Sequence, residues 1–209
     1  MVPPQSESGH DPAPSASAGA KLALRDQLMT ARNRRSLLDR SEAARALALH
    51  LTAAPEVRRA ATVAAYVAVG SEPGTAALLH ALVSAGKRVL LPVVLPGLDL
   101  DWASYAGDQD LAPARYGLLE PVGTRLGVEA VATSDAVLLP GLAVSDRGDR
   151  LGKGGGCYDR ALGRVPVGTF TCVLLYDEEV GVDVPVEPHD RPVTAAVTPA
   201  GITRFAPTF

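Results

Sequence analysis

The sequence predicts an α/β protein: a mainly parallel sheet flanked by helices. Three observations lead there. Short continuous apolar runs such as Thr62–Ala68 have the pattern of strands covered on both faces. These runs alternate with amphipathic helical stretches. Between Thr62 and Val94, strand, loop, helix, Gly86 and strand follow one another as a βαβ unit, which implies parallel pairing and a right-handed crossover.

Residues 1–19 are rich in Pro, Ser, Ala and Gly without apolar periodicity, and read as a disordered tail. Ala20 to Leu51 reads as helical, with Leu22, Leu28, Met29 and Ala31 as its apolar positions. Ser36–Asp39 interrupts it, and Ser41-Glu42 suits the start of a second helix. After the strand at Thr62–Ala68 and the loop Ser71–Thr75 comes a helix over Ala76–Ala85, then a strand over Arg88–Val94. Further strands are expected at Leu98–Ala103, Ala136–Leu139, Thr171–Leu175 and Ala195–Thr198. Helices are expected at Val128–Thr133 and Tyr158–Leu162. Residues 20–209 then form a single domain, without an internal repeat.

Composition narrows the function. The 209 residues carry 23 acidic and 20 basic side chains, so a formal charge of −3 offers no general attraction to nucleic acid or an anionic membrane. No apolar run approaches the roughly 18–20 residues needed to span a bilayer, and the N-terminus lacks a secretory signal pattern. Two cysteines, Cys157 and Cys172, make neither a disulfide framework nor a four-cysteine zinc site. The expectation is a cytoplasmic protein whose core, with 4% aromatics, is built from Ala, Val and Leu.

The segment Pro140 to Arg160 carries the chemistry. It follows a buried strand and runs through Arg150-Leu151-Gly152-Lys153-Gly154-Gly155-Gly156-Cys157-Tyr158-Asp159. Glycines allow backbone N–H groups to face an anion without obstruction. Arg150 and Lys153 add full charges, and Asp159 is a hard ligand suited to magnesium. The run fits neither the P-loop nor the dinucleotide fingerprint. Residue chemistry alone leaves two readings, a flexible charged surface loop or a phosphate cradle, and its place at the carboxyl end of a strand favours the second.

This loop resembles the signature of the 5-formyltetrahydrofolate cyclo-ligase (5,10-methenyltetrahydrofolate synthetase) family. Further family features follow in the same order: Lys21 and Arg25; Tyr66 with Glu72 and Thr75; Leu91-Pro92; Trp102; Tyr116 to Pro121; Glu187-Pro188-His189-Asp190; and Val197-Thr198. The resemblance spans Lys21 to about Thr198 and implies a Rossmann-like three-layer fold, of the broad type that sugar-phosphate isomerases share. It implies ATP-dependent conversion of 5-formyltetrahydrofolate to 5,10-methenyltetrahydrofolate, releasing ADP and phosphate, with magnesium and without macromolecular partners, by a monomer.

By that resemblance Lys21, Arg25 and the loop Arg150, Leu151, Gly152, Lys153, Gly154, Gly155, Gly156, Cys157 and Tyr158 hold ATP, with Lys153 and Arg150 catalytic. Arg25, Val67, Glu72, Lys153, Gly154, Gly155, Gly156 and Cys157 meet the folate, and Asp159 with Asp190 hold the metal. Arg32, Arg34 and Arg35 are read as surface charge and Cys172 as core. His189 is read as structural, Trp102 as core or pocket wall, and Tyr116 as packing. Cys157 stands where the family often has an aromatic, which makes it a small pocket residue. Two competing readings are an isomerase-like enzyme using a carboxylate base without ATP, and a folate or nucleotide binder without turnover.

Overall fold

The computed structural model describes residues 16–206. Five α-helices lie along this span: α1 (Ala16–Asn33), α2 (Leu37–Ala53), α3 (Pro55–Arg59), α4 (Ala76–Ser84) and α5 (Cys157–Leu162). The strands are β1 (Thr62–Ala64), β2 (Arg88–Val94), β3 (Leu100–Tyr105), β4 (Leu111–Pro113), β5 (Leu119–Pro121), β6 (Ala136–Pro140), β7 (Ala143–Val144), β8 (Arg150–Leu151), β9 (Phe170–Leu174), β10 (Ala195–Thr198) and β11 (Gly201–Arg204).

Seven strands form one sheet in the order β11-β10-β9-β6-β1-β2-β3. The five inner strands, β10 to β2, are mutually parallel. The edge strands β11 and β3 run antiparallel to their neighbours. Alternate residues face opposite layers, as a strand's period of two requires. Val63, Leu91, Leu138, Cys172 and Val197 pack with α2, α3 and α4 on one face. Ala64, Leu90, Leu139, Val173 and Ala196 pack with Trp102, Val131 and Leu162 on the other. This is the α/β architecture expected, with helices on both faces of a mostly parallel sheet.

Several elements depart from expectation. The tail boundary moves: residues 16–19 are the first turn of α1, and residues 1–15 lie outside the described residues. The second helix starts at Leu37 rather than Ser41, because Ser36 accepts from the Asp39 N–H while Asp39 accepts from the Ser36 N–H, a capping box. The first strand stops at Ala64, and the chain leaves the sheet through Tyr66 and Val67. The strand expected at Leu98–Ala103 is shifted to β3, whose antiparallel turn from β2 carries Gly97 and Leu98 at positive φ. Val128–Thr133 is a 3₁₀ helix rather than an α-helix. The hairpins β4–β5 and β7–β8 and the strand β11 have too few residues to show a period.

Helix α1 inverts the expected amphipathicity. Leu22 is 59% exposed, whereas Lys21 is 4% and Arg32 1% exposed. Its inward stripe is Lys21, Arg25, Leu28 and Arg32, at spacings that share one helix face. Leu28 packs against Leu142, Ala143, Leu151 and Val184 beyond the end of β6. Arg32, expected on the surface, instead pairs with buried Glu179 at 2.7 Å and donates to the Gly141 carbonyl at 2.7 Å. Arg35 stacks on the Tyr176 ring 3.9 Å from its centroid and pairs with Glu178. Arg34 is exposed, as expected.

Removing one member of a buried pair strands the other's charge. Arg32→Ala should therefore lower unfolding free energy by about 3–5 kcal/mol, while Leu22→Ala should stay within about 0.5 kcal/mol of wild type. Urea denaturation followed by circular dichroism measures both; equal effects would show that Arg32 is not a buried anchor.

Candidate active site

Because the inner strands are parallel, their carboxyl ends share one edge, and loops leaving that edge surround a cavity of about 400 Å³. Each wall has a separate origin. Strand β1 continues into Tyr66, Val67 and the loop bearing Glu72; β2 contributes Pro92 and Val94; β6 ends at Pro140 and Gly141. Helix α1 supplies Lys21 and Arg25, the glycine loop supplies residues 150–159, and a final segment supplies Glu187, His189 and Asp190. The hairpin β4–β5 contributes Leu118, Leu119 and Glu120. Every residue given a site role in the sequence thus lines one cavity.

The glycine loop does not leave β6 directly. Leu142 N–H donates to the Leu151 carbonyl at 2.7 Å, and the hairpin β7–β8 returns the chain beside Pro140. Arg150 is thereby buried, its guanidinium donating to the Pro140 carbonyl at 3.3 Å and to Asp159 Oδ1 at 3.0 Å. Beyond it, Gly154 (φ +102°) and Gly156 (φ +66°) occupy the left-handed region. There a side chain adds strain, so these two glycines shape the loop. Arg25 closes over it, donating to the Gly152 carbonyl at 2.9 Å.

Each cation in the cavity has a partner. Lys21 Nζ lies 2.7 Å from Glu187 and 2.6 Å from Asp190. Burial opposes its charge, but the hydrogen bonds that the ammonium donates to both carboxylates outweigh that and hold it above its ordinary pKa. Asp190 is affected in reverse: burial disfavours its charge, yet the Lys21 bond and the Glu187 N–H hold the carboxyl below the usual range. Lys153 Nζ sits 2.6 Å from Glu72 Oε1, and the Val69 N–H donates to Glu72 Oε2 at 2.9 Å. Glu72 is 8% exposed.

Charge and apolar surface come from different elements. Cations and most acids lie on α1, the glycine loop and residues 187–190, whereas Val67, Pro92, Val94, Leu100 and Leu118 come from the β1–β3 side and the hairpin. Such a cavity suits a ligand with one polyanionic and one flat apolar part. Tyr66 is buried and Tyr158 half-buried among these groups, and desolvation first, then Glu72, holds both phenols above their ordinary pKa.

The two aspartates expected to hold a metal lie in different surroundings. Asp190 clusters with Glu187 and His189, their ligand atoms within 4.8 Å of one another. Asp159 is outside that cluster, accepting from Arg150 and the Arg191 N–H. His189, taken as structural, is largely exposed beside the two acids. Trp102 is core: it is buried on β3 and does not line the cavity. Tyr116, expected to pack, is 74% exposed at the hairpin tip. Cys157 lines the cavity, and Cys172 is buried in the sheet. Tyr66, Glu120 and Glu187, which the sequence resemblance includes without a role, line the cavity as well.

A cavity of this kind, at the carboxyl edge of a parallel sheet with charged and apolar walls, is where α/β proteins bind small-molecule ligands. Residues 17–199 match the model of the 5-formyltetrahydrofolate cyclo-ligase family. The chain is 42% identical to the 5-formyltetrahydrofolate cyclo-ligase of Mycolicibacterium smegmatis over 144 residues, 66% of this chain and 73% of that one. It is 34% identical to the Escherichia coli K12 protein of the same name over 156 residues, 71% and 83% of the two chains. The NMR structure of Aquifex aeolicus 5,10-methenyltetrahydrofolate synthetase superposes with a TM-score of 0.78 at 27% identity, covering 90% of this chain and 94% of that one. This chain belongs to the 5-formyltetrahydrofolate cyclo-ligase family. No helix among the described residues is long and apolar enough to cross a membrane.

The depressed Asp190 carboxyl has a defined pH signature. Between its folded value and the unfolded value of ~3.9 the unfolded chain binds more protons, so stability rises with pH there. Its contribution is complete above the unfolded value and is lost as pH falls through the folded one. Asp190→Asn should be destabilised relative to wild type at pH 7, and that gap should narrow near pH 3. Denaturant titrations of both proteins at the two pH values measure it; a gap independent of pH counts against the ion pair.

Proposed function

We propose that this cavity converts ATP and 5-formyltetrahydrofolate into 5,10-methenyltetrahydrofolate, ADP and phosphate. The observation that carries the reading is the continuity of one cavity from the cationic glycine loop to the apolar wall beside Glu72. Lys21, Arg25, Arg150, Lys153 and the N–H groups of residues 151–158 would take the triphosphate. Val67, Cys157 and the glycine loop would line the pterin side. Glu72, as an ionised acceptor, suits the pterin's amino and ring N–H donors.

The formyl oxygen is a poor leaving group until phosphorylated. In the proposed sequence it attacks the γ-phosphorus in line and ADP departs; N10 then closes on the activated carbon, its proton passes to the phosphate, and that phosphate leaves with the former formyl oxygen. Charge grows on phosphoryl oxygens in both steps. Fixed cations serve this better than a covalent nucleophile, and Lys153 and Arg150 are the groups assigned to it.

A magnesium ion fits the donor set: carboxylate oxygens of Asp190 and Glu187 beside the cavity's cations, with Asp159 on the glycine-loop side. When bound it would neutralise phosphate charge. Lys21, already shared by two carboxylates, would orient them. In this reading the protein acts as a cytoplasmic monomer without nucleic-acid or membrane partners.

Lys153→Ala should lower turnover by about 10²–10³-fold, equivalent to about 2.7–4 kcal/mol of barrier. The assay follows methenyl absorbance with ATP and magnesium. Product formed by the wild type without ATP, or an unimpaired variant, would contradict the assignment. An isomerase-like enzyme would release no ADP in response to the folate.

A further inference from the structure

We propose that the Lys153–Glu72 ion pair is an interlock that makes nucleotide affinity depend on occupation of the pterin site; the inference rests on the reading above. The pair joins the centre of the glycine loop to the acid at the end of β1, at 2.6 Å. Its two ends differ. The Glu72 side chain is 6% and that of Lys153 47% exposed, so the carboxylate is fixed and the ammonium is the mobile partner. Glu72 is further anchored through Oε2 by the Val69 N–H, leaving Oε1 to Lys153.

Lys153 and a pterin N–H compete for Glu72 Oε1, since each donor added to that oxygen weakens its hold on the other. A pterin whose amino and ring N–H groups reach Glu72 takes over Oε1, and the displaced ammonium then has its strongest alternative partner in a phosphate oxygen on the same loop. Without a pterin, a nucleotide must draw Lys153 away from a buried carboxylate, leaving that charge uncompensated. Each ligand therefore removes a cost that the other would meet alone. Such coupling is reciprocal between two sites. It also keeps the loop lysine off the nucleotide until an acceptor for the phosphoryl group is present. The other cavity cations are not interlocked in this way: Lys21 and Arg150 pair with acids of the charged wall, and Arg25 with a backbone carbonyl.

The test measures binding of a non-hydrolysable ATP analogue with magnesium by calorimetry, using the full chain. Wild type should bind the analogue at least about fivefold more tightly when saturated with 5-formyltetrahydrofolate, the lower end of typical coupling between sites. Glu72→Gln, which keeps an acceptor for Val69, should bind the analogue more tightly than wild type with no folate present. That gain should vanish when Lys153→Met is added, since a general loss of negative charge would persist in the double variant while release of Lys153 would not. An unchanged or weaker affinity in Glu72→Gln, a gain that survives Lys153→Met, or no effect of folate on the wild type overturns the interlock. Absence of methenyl product from the wild type would instead overturn the catalytic reading, and the nucleotide titration of Glu72→Gln does not depend on turnover.

Discussion

The structure depends on a stripe of cations turned inward along one face of α1. Lys21, Arg25 and Arg32 share that face, with Leu28 on the turn between the two arginines, and each is held by groups at the carboxyl edge of the sheet. Lys21 meets Glu187 and Asp190, Arg25 the Gly152 carbonyl, and Arg32 Glu179 with the Gly141 carbonyl. A buried charge without such partners would cost several kcal/mol. The helix therefore has one seat, over the loops that follow β6 and β8, and seating it there builds the charged wall of the cavity.

That constraint explains the economy of the site. The sheet itself is made from small and branched apolar residues and supplies no charge to the cavity. Its contribution is to bring strand ends to a common edge, so that loops distant in sequence become neighbours. The charged groups then arrive from five separate pieces of chain: α1, the loop bearing Glu72, the β4–β5 hairpin with Glu120, the β7–β8 hairpin with its glycine loop, and residues 187–190. Each cavity cation already has a carboxylate or carbonyl partner. A ligand bearing phosphate and N–H donors can exchange partners with these pairs instead of introducing charge into an apolar void.

Much of the fold was legible because it rests on local patterns. Continuous apolar runs marked β2, β6, β9 and β10, and Gly86 marked the end of α4. The glycine loop was legible for a similar reason: a lysine enclosed by glycines is unusual wherever it occurs. What escaped reading was either too short or too distant. The β4–β5 and β7–β8 hairpins have two or three residues per strand, and β1 loses its pairing after Ala64 although its apolar run continues to Ala68. The sequence favours Ser41 as the start of α2; reciprocal bonding with Asp39 makes Ser36 the cap instead.

Helix α1 draws the boundary most sharply. Its sequence establishes a helix with leucines and basic residues at mixed positions, and hydrophobicity assigns Leu22 to the inside and Arg32 to the outside. The fold reverses both, because Glu179 and the Gly141 carbonyl offer Arg32 what solvent would otherwise provide. By itself the sequence determined periodicity, turn chemistry and a glycine-rich basic loop, all properties of residues near one another in the chain. Only the tertiary structure decided which charges face inward, that Asp190 joins Glu187 and Lys21 while Asp159 joins Arg150, and that Lys153 rests on Glu72. Ion pairing depends on distances of a few ångströms between groups far apart in sequence, and folding alone sets those distances.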